Sequence, residues 1–243
     1  MRFEQLKNHY KLPKHIGIIA DGNGRWAKKR GFNRSVGHKF GYENLKKQID
    51  YMYELGIKNL SIFCFSKENW GRPKKEVDYL MDLYTQVLDE YENKYLDKDI
   101  RIIFSGDVDD ERMPKGSNEK AKKLMDKTKS KKGFILNLCI NYGGRQEILK
   151  AVNEIIVAGE KNIDTEKFEK HLYTSELLPL DLVVRTSGEN RTSNFMPWQS
   201  VYSEWYFTKT PWPCFNKKEL VKAICAYMKR DRRFGEIKKW NKD

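Results

Sequence analysis

Cysteine is scarce and scattered. The 243 residues hold four, Cys64, Cys139, Cys214 and Cys225, with no CxxC pair and no histidine at zinc-finger spacing. Neither a disulfide framework nor a structural zinc is expected. Cys64 and Cys139 lie inside apolar runs and read as small buried hydrophobes. No apolar run approaches the roughly 18 residues of a membrane helix, and the opening MRFEQLKNHYKLPK lacks the apolar stretch of a signal peptide. A cytoplasmic protein is expected. Internal repeats, low-complexity linkers and abrupt shifts of composition are also missing. The chain reads as one domain, 1–243, with 1–14 an N-terminal extension and 236–243 a flexible tail. Neither GxxxxGK[ST] nor GxGxxG occurs, so neither standard nucleotide loop is supported.

What is present is charge and aromatic surface. Lys and Arg outnumber Asp and Glu by 47 to 34, a net charge of +13, which favours an anionic partner: nucleic acid, a lipid surface or phosphorylated small molecules. Lysine runs such as AKKLMDKTKSKK and GEIKKWNKD read as solvated faces. Hydrophobic residues at 39% and aromatics at 13% place the chain among folded proteins.

Six apolar runs of strand length, 16–20, 60–65, 100–106, 134–140, 181–186 and 202–207, are rich in Ile, Val and Phe and mostly continuous, as in strands covered on both faces. Between them lie helical spacings: Leu45, Ile49, Met52 and Leu55; Leu80, Leu83, Tyr84, Val87, Leu88 and Tyr91; Ile148, Val152, Ile155 and Ile156. Gly56 closes the first as a left-handed cap. The alternation predicts an α/β fold, a mostly parallel six-stranded sheet flanked by helices. Ligands of such sheets bind beyond the carboxyl ends of the strands.

Three segments carry chemistry. The first, DGNGRWAKKRG, leaves the first strand on two glycines that let backbone amides approach an anion, with a helix starting near Asn23 or Gly24. Arg25, Arg34 and His38 can donate to phosphate. Asp21 would repel a bare diphosphate, but fits if it holds a Mg²⁺ that bridges to the phosphate; alternatively it is an N-cap. The second, FCFSKENWGRP, offers Ser66, Glu68, Asn69, Trp70 and Arg72 at another strand end, although a lone Trp70 can also be a lid on the core. The third, RTSGENRTSNFMPWQSVYSEWYF, places Arg185, Arg191 and Ser193 after a strand. Glu204 in its aromatic surroundings needs either an arginine partner or a metal shared with Asp21. The acidic DVDDE (107–111) reads as an exposed turn. His9 and His171 read as surface residues, and His15 as structural.

Taken together, HIGIIADGNGRWAKKRG, GHKFG, FSKENWGRP with a following Glu, NYGGR, DLVVRTSGENRTSNFMPWQSVYSEWYF, WPCF and RDRRFG resemble the cis-prenyltransferase family of the undecaprenyl diphosphate synthase type, from about His15 to Gly235. The resemblance implies a homodimeric Mg²⁺-dependent enzyme with a hydrophobic substrate channel. It would condense isopentenyl diphosphate onto an allylic diphosphate, usually farnesyl diphosphate, with Z stereochemistry, giving a polyprenyl diphosphate such as the undecaprenyl carrier precursor of cell-wall glycans. By the same resemblance Asp21 is the essential acid and a metal ligand, with Glu204 the second ligand. Gly22, Asn23, Gly24 and Arg25 cradle the allylic diphosphate beside Trp26, Arg34 and His38. Ser66, Lys67 and Glu68 line the site, Asn69 assists proton removal, and Trp70 and Arg72 lie next to it. Arg185, Arg191, Thr192 and Ser193 hold isopentenyl diphosphate. Ala20, Ser187, Asn190 and Pro197 depart from the common pattern, and none of these changes removes a needed charge. Two other readings compete: a non-catalytic accessory subunit of the family, and a basic nucleic-acid-binding domain, for which no known motif speaks. No nucleic-acid partner is expected, and any membrane contact would be peripheral.

Overall fold

The computed structural model describes residues 1–95 and 97–231. The tail 236–243 and most of RDRRFG lie outside the described residues. Strands β1 (His15–Ile19), β2 (Asn59–Ser66), β3 (Ile100–Ser105), β4 (Phe134–Tyr142), β5 (Leu182–Arg185) and β6 (Glu204–Phe207) form one sheet in the order β3-β4-β2-β1-β5-β6. Every pairing is parallel, so the expected "mostly parallel" sheet is parallel throughout. The strand expected over 202–207 pairs only from Glu204. As the edge strand, β6 is half-buried or exposed, not covered on both faces.

Helices α1 (Phe3–Leu6), α2 (Asn23–Lys28), α3 (Arg34–Leu55), α4 (Lys74–Lys94), α5 (Ser117–Thr128), α6 (Gly144–Ala158), α7 (Thr165–Glu169) and α8 (Lys217–Met228) connect and cover the sheet. Leu45, Ile49, Met52 and Leu55 of α3 enter the main core with Leu88 and Tyr91 of α4. Gly56 ends α3 at φ +83°, its N–H bonded to the carbonyls of Met52 and Tyr53. Phe3 and Leu6 are buried in the same core, which ties the N-terminal segment down. The apolar spacing of α6 is helical, but the helix turns Glu147, Ala151 and Ile155 inward and leaves Leu149, Val152 and Ile156 exposed.

A buried polar line crosses four strands. Ser105 Oγ and Asn137 Oδ1 are 2.8 Å apart, Asn137 Nδ2 donates to Ser61 Oγ, and Ser61 meets His15 Nε2 at 2.8 Å. His15 Nδ1 faces the Leu178 carbonyl at 2.7 Å. A carbonyl only accepts, so the proton sits on Nδ1 and Nε2 accepts from Ser61. Burial lowers the imidazole to about 4, which keeps it neutral. His15 is structural, as expected.

Candidate active site

The segments after β1, β2 and β5 meet at the carboxyl edge of the sheet around a polar cavity of about 490 Å³. Residues 21–25 form its floor. Gly22 is the N-cap of α2 at φ +100°, and a Cβ there would lie 2.4 Å from Ser187 Oγ. Asp21 is therefore not the cap. Its carbonyl accepts from Trp212 N–H and Thr186 Oγ1, which aims its carboxylate at the cavity. Helix α3 can close on this turn because Gly37 has no side chain: a Cβ there would meet the Asn23 carbonyl at 2.1 Å.

Asp21 takes Arg185 Nη2 on Oδ2 at 3.0 Å and Arg25 Nη2 on Oδ1 at 3.2 Å. Burial alone would raise the carboxyl, but the two guanidinium groups outweigh it and hold Asp21 below the usual carboxylate range. Arg185, only 3% exposed, also donates to Ser193 Oγ at 2.7 Å and to the Arg191 carbonyl. Its Nε has no partner among the described residues, nor does the buried Asn23 Oδ1.

A second cluster centres on Glu76, the glutamate that closes the second motif and whose role the sequence does not reveal. Its carboxylate takes Arg34 through Nε and Nη2 at 2.7 and 3.0 Å, Arg72 at 3.2 Å and His38 Nε2 at 3.0 Å. Burial opposes the charge, yet Arg34 and His38 lower Glu76 to about 2. Burial also lowers His38, against the pull of Glu76, so a neutral ring donates from Nε2. A third carboxylate, Glu189, links Arg25 at 2.6 Å to Arg191 at 2.5 Å. Both glutamates fall inside the matching motifs without a role assigned to them, and only the approach of α3 to α4 reveals the partners of Glu76.

Of the expected site residues, Asp21, Gly22, Asn23, Gly24, Arg25, Arg34, His38, Ser66, Asn69, Arg72, Arg185, Arg191 and Ser193 line the cavity. The others do not. Trp26 is buried and donates to Cys214 Sγ. Lys67 pairs with Asp107, and Glu68 accepts from Asn194. Trp70 packs on Phe65 and donates to Asn141 Oδ1. Thr192 sits in an exposed turn whose carbonyl accepts from Phe195. The DVDDE turn is more than an exposed acidic loop: Asp110 accepts from Arg112 and Asn141, and Arg112 lies 4.8 Å from the Trp70 ring, so this turn braces the loop after β2.

The shared Asp21–Glu204 metal site is not formed within the chain. Glu204 pairs in register with Leu182 at the amino end of the sheet, while Asp21 follows Ile19, which is level with Arg185 at the carboxyl end. That is about five residues along the strands, on the order of 16 Å, and two strands across. Glu204 has Arg230 Nε 3.9 Å away instead. Among the described residues no group of three or more metal-ligating side chains occurs.

Behind the polar cavity runs an apolar one of about 110 Å³. Tyr42 and Leu45 of α3, Leu80, Leu83, Tyr84 and Val87 of α4, and Ile62, Leu138 and Ile140 of the sheet line it. Ala20, Asn23, His38, Phe63, Cys64 and Phe65 belong to both walls, so the two are continuous. Burial pushes the Cys64 thiol up to about 12, leaving it protonated and inert. The walls of the apolar cavity come from α3, α4 and the sheet.

The likeness to known proteins extends over the same frame. A family model described as "Putative undecaprenyl diphosphate synthase" matches residues 19–235. An isoprenyl transferase of Fusobacterium nucleatum is 47% identical over 227 residues, 93% of this chain and 97% of the relative. One from Thermotoga maritima is 45% identical over 93% of this chain and 98% of its own length. The crystal structure of lavandulyl diphosphate synthase from Lavandula x intermedia, in complex with dimethylallyl diphosphate, superposes with a TM-score of 0.86 at 35% identity, covering 94% of this chain and all of that one. A probable undecaprenyl diphosphate synthase from Campylobacter jejuni gives 0.76 at 33% identity, covering 92% and 99%. With arginines gathered at one edge of a parallel sheet and an oily cavity behind them, this chain belongs to the undecaprenyl diphosphate synthase family of isoprenyl transferases.

Proposed function

We propose that this chain condenses isopentenyl diphosphate onto an allylic diphosphate, farnesyl diphosphate being the expected primer, with Z geometry, to give a polyprenyl diphosphate. The single observation that carries the reading is the continuity of the arginine-lined cavity with the apolar one. A diphosphate head and an isoprenoid tail need that pairing. The allylic diphosphate bound by the lavender relative is of the same chemical class.

In the reaction the allylic C–O bond breaks, the allylic carbon bonds to the terminal carbon of isopentenyl diphosphate, and one proton leaves. Charge gathers on the departing diphosphate. Arg25 and Arg34, with the backbone amides of residues 22–25, would hold it. Arg185, Arg191 and Ser193 would hold the second diphosphate. Pre-aimed donors of this kind are worth ~3–4 kcal/mol each in the transition state. Asn69 accepts the Ser66 N–H through Oδ1. An amide is too weak a base to keep a proton, so Asn69 would orient it toward a phosphate oxygen.

The residues fit a Mg²⁺ ion. Asp21 presents a carboxylate to the cavity, and Asn23 Oδ1 is a buried oxygen without a partner among the described residues. One or two protein oxygens plus substrate phosphates is the usual donor set for this ion. When bound it would neutralise phosphate charge. Asp21 would hold it, and Glu204 of the same chain is too far to share it.

Leu149, Val152 and Ile156 recur at i, i+3 and i+7 on an exposed face of α6, which supports a homodimer as the working form. Among the described residues no helix is long and apolar enough to cross a membrane; a cytoplasmic enzyme with peripheral membrane contact fits. The test is incubation of the purified chain with labelled isopentenyl diphosphate, farnesyl diphosphate and Mg²⁺, with products read by mass. Polyprenyl diphosphates formed without a second polypeptide support the reading and exclude the accessory-subunit alternative. No product with any allylic primer overturns it.

A further inference from the structure

Between Gly22 and Tyr42 the chain carries six Lys or Arg residues and no carboxylate. These residues form α2, the turn after it and the start of α3, a hairpin at the lip of the polar cavity: Gly24, Arg25, Arg34 and His38 line that cavity from the hairpin's inner side. Its outer side is basic. Lys28, Lys29, Arg30 and Lys39 are exposed, and none of the three lysines joins an ion pair among the described residues. The next acid, Glu43, is taken by Lys46. A solvated basic face usually mixes signs, as α5 does with Glu119 and Asp126 among its lysines.

Two large aromatics stand among these cations. Phe32 is 49% and Phe40 48% exposed. The Phe32 N–H is fixed by the Ala27 carbonyl. The Phe40 ring lies 4.9 Å from the Trp26 ring, which also carries the Arg30 guanidinium at 4.5 Å. Water-facing phenyl rings beside lysines that join no ion pair among the described residues match the two attractions of an anionic bilayer. Aromatic groups settle at the interface, and each nearby cation adds attraction that decays within a Debye length.

We propose that the α2–α3 hairpin, through Phe32, Phe40, Lys28, Lys29 and Lys39, docks this chain on an anionic lipid surface with the mouth of the polar cavity beside the membrane. The proposal rests on the prenyl-transfer reading for its purpose: a polyprenyl product leaving the cavity would pass directly into lipid. The docking itself is measured without turnover.

The full chain is floated with vesicles of phosphatidylcholine containing phosphatidylglycerol, and with vesicles of phosphatidylcholine alone. The wild type should bind only the first. Lys28→Glu/Lys29→Glu should weaken that binding about tenfold or more. Phe32→Ser should weaken it severalfold at low salt, where charge attraction persists. Each variant should keep wild-type melting behaviour and wild-type turnover of a short primer in vesicle-free buffer. Lys161→Glu/Lys170→Glu, the same charge change near α7, is the control. Wild-type binding by the double variant, or an equal loss in the control, overturns the proposal. So does binding of a nucleic-acid oligomer without vesicle binding. If vesicles bind as expected and no prenyl transfer is found, the activity falls and the docking surface stands.

Discussion

Asp21 takes one arginine on each oxygen and keeps 27% of its side chain open, whereas Glu76 spends both oxygens on Arg34, Arg72 and His38 and keeps 7%. Both are carboxylates ringed by guanidinium groups, and both are held below the ordinary range. The difference is in what each has left over. The main chain pins Asp21 through its own carbonyl, and its arginine-paired side chain still faces the cavity. Glu76 is consumed by its partners and orients them. One carboxylate is placed to act on substrate, and the other to hold the groups that bind it.

Asp21→Ala should have the largest effect. Turnover should fall on the order of 10³-fold, and the melting temperature should drop as well, because the buried Arg185 guanidinium keeps only the neutral oxygens of Ser193 and the Arg191 carbonyl. Steady-state kinetics beside a thermal melt checks both halves. Arg185→Lys should come next, at about 10²-fold. It keeps the charge, but an ammonium cannot bond Asp21, Ser193 and a carbonyl in one planar fork.

Glu76→Gln should behave in the opposite way. We expect KM for the allylic diphosphate to rise about tenfold, equivalent to ~1.4 kcal/mol of binding, with kcat nearly retained, since Arg34 and Arg72 stay in place but lose their common anchor. The pH dependence follows from the shift. An ordinary glutamate titrates near 4.5 and Glu76 near 2, so its contribution to stability is complete above pH 4.5 and is lost as pH falls toward 2. The wild type should lose melting temperature faster than Glu76→Gln across that window. Parallel curves would mean that Glu76 is not held as its contacts imply.

How much of this was legible in the sequence depends on distance along the chain. The six strands announce themselves by continuous apolar runs, and the donors at 21–25, 66–72 and 185–193 follow directly from strand ends. Glu76 could not be read, because its partners arrive from α3 and from the loop after β2. Glu204 was readable in principle. It opens a strand, and in a parallel sheet the opening residues lie at the amino edge, away from the ligand edge. The spacing of α6 gave the helix but not its orientation, since two apolar stripes compete and burial selects Ala151 and Ile155.

Behind the head-group cavity lies the tail cavity, lined mostly by apolar side chains. Val87 lines only the apolar cavity and is 9% exposed. An indole there would extend into a space of about 110 Å³, so Val87→Trp should cost less than the ~1–3 kcal/mol usual for overpacking a filled core. The arginine clusters would be untouched. The first condensation should therefore run within about twofold of the wild-type rate, the scatter expected where no transition-state donor changes. Later additions, which must push the tail past residue 87, should fail. Mass analysis of products should show the distribution moved to shorter chains, the smallest rate effect and the clearest change of product. An unchanged distribution with a folded variant would mean that the growing chain takes another path.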